Sequence, residues 1–340
     1  MKTSSIRGGS LNKEKQKRKM YKSLEYTLKK NIFELYHDLV AGRYSHAKYQ
    51  AFYIQDPKLR HIHKAQVRDR IVHQAVYSAL TKIYEPVFVN DSYSCRVEKG
   101  THKAVQALSD MARKMTRNYT SPCYALKCDI RKFFDSVDHS ILLSLIAEKV
   151  KDERAMELFQ EIVESFAGYK DYVREGAGIP IGNLTSQIFA NIYLNELDQF
   201  VKHELREKFY ARYADDFVIL SPNKEYLQSL IPQLESFLEE RLKMQLHPHK
   251  VELRNFYQGV DFLGYVLFPQ HKILRTNTKH RMLKKMNRCF MNFIHEKIEF
   301  TEMNSVFQSY FGIMSHGNCE KLCLDVKKEY WMYSVLENDL

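Results

Sequence analysis

Between Phe209 and Leu220 the chain reads FYARYADDFVIL, two apolar runs that meet at a pair of adjacent aspartates. Aromatic and branched residues on both sides of a short polar step predict two strands joined by a tight turn, with Asp215 and Asp216 at its tip. Carboxylates held that close raise each other's pKa, so the turn is electrostatically costly unless a cation shares it. Mg2+ relieves such a cost, because it takes hard oxygen ligands and is held by one or two carboxylates plus substrate phosphates. Taken alone, the segment is read equally well as an exposed Asp-Asp turn with no ligand.

A second segment, Tyr124 to Phe134 (YALKCDIRKFF), predicts an apolar strand that delivers Asp129 and is followed five residues later by an aromatic ring. A two-metal site uses one ion to activate an attacking hydroxyl and the other to neutralise leaving oxygens, and draws acidic ligands from more than one backbone element. Asp129, Asp215 and Asp216 supply that set. These residues resemble the reverse transcriptase family, whose first catalytic motif is an Asp-x4-Phe block and whose second is matched by Tyr213-Ala214-Asp215-Asp216. The resemblance implies two Mg2+ ions, with Mn2+ as a substitute, bound by Asp129 and Asp215, with Asp216 supporting and Ile130 in the metal set. It also implies an α+β right-hand polymerase fold, with fingers, a palm of antiparallel sheet flanked by helices, and a short helical thumb. In the family an aromatic at Phe134 clashes with a 2'-hydroxyl and so admits deoxynucleotides. One of Phe133 and Phe134 is expected to pack in the core.

The segment Gly178 to Asp198, GIPIGNLTSQIFANIYLNELD, resembles the family's template-and-nucleotide motif. Ile181 stands where bacterial relatives usually have Gln, and Gln187 where they usually have Pro. That variant, together with SYSCRVEKGTHKAV from Ser92 to Val105, is similar to the reverse transcriptases of diversity-generating retroelements, which copy a template RNA with errors at adenines and so diversify a target gene. The resemblance places Ile181, Gly182 and Gln187 at the nucleotide and Gly178 and Asn183 at template or primer. Gly178 and Gly182 around Pro180 favour a loop that approaches a ligand closely, since glycine tolerates positive φ. An apolar Ile181 in place of an amide loosens selection of the incoming base, because polar readout discriminates more strongly than apolar fit. The stripe of Ile188, Phe189, Ile192, Tyr193 and Leu197 at helical spacing is packing.

Arg68 and Arg70 precede a run with Ile71, Val72, Ala75, Val76 and Leu80 spaced for a buried helix face. Guanidinium groups grip phosphate bidentately, and in relatives this region holds the triphosphate, with Arg70 the first contact and Arg68 the second. The competing reading is surface arginines paired with Asp69. Arg96 is assigned to template or nucleotide. Lys250 in LHPHKVEL matches the family lysine that relieves the pyrophosphate leaving group, while His247 and His249 are polar loop residues rather than zinc ligands. Gly259 to Leu267 (GVDFLGYVL) resembles the primer-grip hairpin, with Gly264 allowing close backbone approach.

The 340 residues are 44% hydrophobic, enough for a substantial core, and the net charge of +11 fits a partner carrying phosphates. Lysines and arginines crowd the first thirty residues, so residues 1–24 are read as a basic arm that binds RNA by counterion release, the competing reading being a tail that only solubilises. Residues 25–120 are read as fingers, 121–265 as palm with interleaved finger segments, and 266–340 as a helical thumb with Lys279, Arg281, Lys284, Lys285 and Arg288 facing nucleic acid. Lys224 to Met244 reads as a helix in which Pro232 implies a kink or a misplaced boundary. No apolar run is long enough to cross a bilayer, and six scattered cysteines suit reduced thiols, which together predict a cytoplasmic protein. His316, Cys319 and Cys323 lack a fourth ligand for zinc. The chain's end at Leu340 leaves no room for a ribonuclease H or endonuclease domain.

Expected partners are template RNA, a cDNA or DNA primer, deoxynucleotides and, by the retroelement resemblance, a small basic accessory protein. A defence-associated reverse transcriptase and a non-catalytic RNA-binding protein on a polymerase fold are the alternative readings.

Overall fold

The paired aspartates sit at the turn that joins two neighbouring strands of a four-stranded antiparallel sheet. A computed structural model describes residues 28–55, 58–166 and 174–338; the basic arm expected over 1–24 lies outside them. Residues 28–40 form a first helix, α1. It is followed by β1 (Gln50–Gln55), β2 (Leu59–Lys64), α2 (Val67–Tyr84), α3 (Thr101–Met115), β3 (Tyr124–Asp129), the single turn α4 (Phe133–Ser136), α5 (His139–Lys149), α6 (Glu153–Glu164) and α7 (Leu184–Gln199). Next come β4 (Tyr210–Tyr213), β5 (Asp216–Ser221), α8 (Lys224–Leu242), β6 (Glu252–Asn255), β7 (Val260–Phe262), β8 (Tyr265–Leu267), β9 (Lys272–Leu274), α9 (Thr276–Ile294), α10 (Phe300–Ser315) and α11 (Glu320–Asn338). Two compact units result, one from the chain up to Tyr84 with Phe134–Phe189, the other from Glu85–Phe133 with Ala190–Leu340.

In the first unit β1 and β2 form an antiparallel hairpin, Gln50 opposite Lys64 and Gln55 opposite Leu59. The segment before α7 docks on β2: the His63 amide donates to the Ile181 carbonyl at 3.2 Å. The Asn183 side chain donates to the His63 carbonyl at 2.8 Å and accepts from the Ala65 amide at 3.3 Å. Asp138 and Asp152 start α5 and α6 by accepting from the third amide beyond them, which satisfies donors that a helix terminus leaves open. A chain of hydrogen bonds, buried from His73 onward, links His46 Nε2 to His73 Nε2 (2.9 Å) and His73 Nδ1 to Thr185 Oγ1 (2.6 Å). Burial, and secondarily His46, push the His73 ring down to about 4, so it is neutral at physiological pH.

In the second unit the strand order is β4-β5-β3-β6, every pair antiparallel. β3 is central, which is why its apolar residues occupy both faces: Ala125, Leu126 and Cys128 are all buried. α8 packs against β3, β5 and β6 through a stripe of buried leucines, Leu227, Leu230, Leu234, Leu238 and Leu242. Asn223 caps its first turn, and the helix is continuous across Pro232. On the other face Ala125, Val218 and Leu220 join Ala104, Val105 and Leu108 of α3 in a core that extends to Met282, Met286, Met303 and Phe307 of the C-terminal helices. Lys279, Arg281, Lys284, Lys285 and Arg288 are all exposed on α9. Among the described residues no helix is long and apolar enough to cross a membrane.

The three-stranded sheet β7-β8-β9 begins with two glycines of different meaning. The turn between β7 and β8 places Leu263 at φ +50 and Gly264 at φ +89, the double positive φ of a type I′ hairpin. The expected close approach at Gly264 is not its reason, because an added Cβ would meet only Thr278 at an ordinary 3.5 Å. Gly259 has φ +88, and a Cβ there would lie 2.8 Å from both Phe268 and Val266. Gly259→Ala is therefore expected to destabilise the protein by about 2–3 kcal/mol, strain and overpacking together, and Gly264→Ala by about 1 kcal/mol, strain alone. Chemical denaturation of the two variants checks the order, and equal losses would contradict the assignment.

Candidate active site

β3 ends at Asp129, directly opposite Asp216 on β5, so the two side chains share one face of the sheet. β4 and β5 are joined by the two-residue turn Ala214-Asp215, with Tyr213 opposite Asp216. The Ile130 amide donates to the Asp215 carbonyl at 3.2 Å, which ties the turn to the end of the Asp129 strand. Pairing puts Asp129 and Asp216 on one face by strand alternation, and the turn holds Asp215 beside them at the same end of the sheet.

A loop after α8 closes the other side. Arg131 donates to the Gln245 carbonyl at 2.9 Å, Ile130 bridges Leu246, and His247 donates to the Asp129 carbonyl at 2.7 Å. The chain then turns through His247, whose carbonyl accepts from the Lys250 amide at 3.0 Å. That reversal carries the Lys250 ammonium back over Asp129, 2.8 Å from each carboxylate oxygen.

The electrostatics follow from this crowding. Burial foremost, then the charge of Asp129, raise the Asp215 carboxyl from 3.8 to about 6, while Lys250 opposes them. Burial also raises Asp216, countered first by Lys127 and reinforced by Asp129. Lys127 lies two residues before Asp129 on the same strand face; sequence reading passed over it, although period-two alternation from Asp129 reaches it.

The donor set fits a divalent cation. It consists of hard carboxylate oxygens whose like charges raise a pKa, and the only cation within hydrogen-bond distance of Asp129 among the described residues is the Lys250 ammonium. Among the described residues no three or more His, Cys, Asp or Glu side chains are grouped closely enough to hold a metal ion by themselves. Mg2+ needs no such group, since substrate phosphates and water complete its octahedron.

The other residues singled out from sequence are dispersed. Arg68 pairs with Asp38 at 2.8 Å and lies over the Tyr44 ring, whereas Asp69 is buried and accepts the Tyr44 hydroxyl at 2.9 Å. For Arg68 the alternative pairing with Asp69 is thus replaced by Asp38. Arg70 is exposed on α2, Gly182 and Gln187 are exposed, Ile181 and Phe134 are half-buried, and Gly178 is buried. Asn183 is 4% exposed and its amide is spent on the β2 backbone, so in this structure it shapes the loop instead of facing a nucleic acid. The Arg96 side chain is 5% exposed and is held by Glu85 at 2.7 Å and by the carbonyls of Val89 and Ser92. Its guanidinium braces the Glu85–Arg96 segment and is not presented to template or nucleotide.

Two further residues were missed. Arg212 and Asp198 are both fully buried and form a bidentate ion pair. A charge inside the apolar pattern of FYARY was the available signal.

The family model described as "Reverse transcriptase (RNA-dependent DNA polymerase)" matches residues 54–267. Protein YkfC of Escherichia coli is 27% identical over 285 residues, covering 72% of this chain and 71% of YkfC. The group II intron-encoded protein LtrA of Lactococcus lactis is 27% identical over 274 residues, covering 61% of this chain and 44% of LtrA. Among solved structures, apo telomerase from Candida tropicalis superposes with a TM-score of 0.52 at 12% identity, over 69% of this chain and 49% of that one. Telomerase from Candida albicans in complex with a fragment of telomeric RNA gives 0.51 at 11% identity, over 78% and 54%. The chain thus spans less than half of LtrA and about half of the telomerase chains, and the structural likeness shows the polymerase fold.

Proposed function

The chain belongs to the reverse transcriptase family, and from that premise we propose that it is an RNA-directed DNA polymerase that extends a DNA primer on template RNA with deoxynucleotides. The observation that carries the reading is Asp129 directly opposite Asp216 at the end of the sheet, Asp215 in the adjoining turn tied to the Ile130 amide, and the Lys250 ammonium 2.8 Å from Asp129. Asp129 and Asp215, with Asp216 and Ile130 beside them, would hold two Mg2+ ions, or Mn2+ in their place. Bound there, the ions supply activation of the primer hydroxyl and neutralisation of the leaving oxygens. Lys250 places a proton donor at the same carboxylates for the departing pyrophosphate. Arg70, and after it Arg68, grip the triphosphate, and Phe134 polices the sugar. Gly178, Ile181 and Gly182 form the template-and-nucleotide loop that Asn183 shapes, with Gln187 following on the first turn of α7. The polymerase subdomains are assigned as fingers over 25–120, palm over 121–265 and thumb over 266–340, with Gly264 in the primer grip.

Ile181 and Gln187 support the finer reading, error-prone copying of a retroelement RNA that diversifies a target gene with the help of a small basic accessory protein. An apolar side chain at position 181 offers the nascent pair fit without hydrogen-bond readout. The test is to supply RNA template, DNA primer, deoxynucleotides and Mg2+, with and without the accessory protein, and to sequence the cDNA. Errors concentrated opposite template adenine are expected, and Ile181→Gln is expected to reduce them about tenfold. Evenly spread errors, unchanged by Ile181→Gln, would remove the diversifying role and leave the polymerase.

A further inference from the structure

The turn that carries the paired aspartates is held by a buried guanidinium. Arg212 and Asp198 are each 0% exposed. The Arg212 fork donates Nε to Asp198 Oδ1 at 2.6 Å and Nη2 to Asp198 Oδ2 at 2.5 Å. Nη2 also reaches Ser92 Oγ at 3.0 Å, and the Tyr210 hydroxyl adds a second donor to Asp198 Oδ1 at 2.6 Å. The remaining arm, Nη1, donates to the carbonyl of Ala214 at 3.2 Å.

That last bond falls on a strained peptide. Ala214 is at φ +53, in the left-handed region that a hairpin turn normally gives to glycine. Such a conformation persists only where its surroundings over-determine it. The Ala214 carbonyl belongs to the peptide entering Asp215, and the Asp215 carbonyl, in the peptide leaving it, accepts from Ile130 at 3.2 Å. Both peptides that flank Asp215 are therefore pinned, one by the Arg212 side chain and one by the strand that carries Asp129. A buried ion pair is a poor device for stability, since apolar replacements of similar volume often do as well. Four hydrogen bonds from one rigid planar fork are a good device for fixing geometry.

We infer that Arg212 is a positioning residue: locked by Asp198 and Ser92, it sets the Ala214-Asp215 turn so that Asp215 and Asp216 face Asp129 in the arrangement a pair of divalent ions requires. This rests on the polymerase reading of the three aspartates. Lysine keeps the charge for Asp198 and lacks the fork, so Arg212→Lys separates the clamp from the ion pair.

For Arg212→Lys the expected result is a folded protein with unchanged RNA affinity and unchanged KM for deoxynucleotide. Its kcat on an RNA template is expected to fall about 10- to 100-fold, the cost of sub-ångström misplacement. Terbium(III), titrated into the nucleic-acid-free protein, is expected to bind several-fold more weakly than to the wild type. A folded Arg212→Lys with wild-type kcat and wild-type terbium affinity overturns the inference. If that variant does not fold, Ser92→Ala, which frees one edge of the fork and leaves every charge in place, is expected to weaken terbium binding about threefold, and unchanged binding overturns the inference. A wild type that binds terbium but makes no cDNA would remove the polymerase reading and leave the clamp to be decided by the terbium comparison.

Discussion

Asp215→Asn is expected to lower RNA-templated extension by ~10^3-fold or more and, in the same protein without metal, to raise the melting temperature. The loss follows from removing a charged oxygen from the ion-binding set while leaving its shape. The gain follows from the cost the wild type carries: burial and the charge of Asp129 raise the Asp215 carboxyl from 3.8 to about 6. A carboxyl whose folded pKa is raised contributes stability below its unfolded pKa and loses it as pH rises through the folded value. The amide does not titrate, so its advantage over wild type should be near zero at pH 4, grow between pH 4 and 6, and be full at pH 7, on the order of 2 kcal/mol. Thermal melts in chelator at those pH values check the sign. A variant that is inactive but less stable at pH 7 would mean that Asp215 is a structural carboxylate.

Phe134→Ala is expected to raise ribonucleotide incorporation by ~10^2-fold with little effect on folding, because about 3 kcal/mol of steric rejection disappears with the ring. The structure distinguishes the two phenylalanines of this segment. Phe133 is 2% exposed, whereas Phe134 is half-buried at the end of the Asp129 strand's exit. Phe133→Ala should accordingly cost about 3–5 kcal/mol of stability, as a core aromatic does, and leave sugar choice alone. Single-nucleotide insertion with matched ribo- and deoxynucleotides reads the difference, and unchanged discrimination in Phe134→Ala would take that residue out of the nucleotide site.

Much of the aspartate site was legible because its signals are local. Alternation around Asp129 and on both sides of Asp215-Asp216 predicts strands ending in carboxylates, and the sheet pairs them in register. The leucine spacing over Lys224–Leu242 likewise announced a helix, which one proline does not break. What stayed hidden depends on partners distant in the chain. Asn183 and Arg96 have the chemistry of nucleic-acid contacts, yet a β2 carbonyl takes the first and Glu85 with two carbonyls takes the second. Lys250 was placed by motif, but its hold on Asp129 exists only because the loop after α8 zips onto the end of β3. Arg212 and Asp198 are fourteen residues apart and belong to different elements, so no periodicity joins them. Each of the two compact units also draws on separated stretches of chain, which a linear reading divides differently.

The central claim is that Asp129, Asp215 and Asp216 catalyse DNA synthesis on RNA. Single-turnover extension of a DNA primer annealed to an RNA template, with RNA affinity measured on the same preparations of wild type and Asp215→Asn, tests it most directly. The account predicts Mg2+-dependent cDNA from the wild type, abolished by chelator and by Asp215→Asn, with RNA affinity equal in the two proteins. Undiminished cDNA from a folded Asp215→Asn, or none from a wild type that binds the primed template with Mg2+ or Mn2+ present, would contradict it.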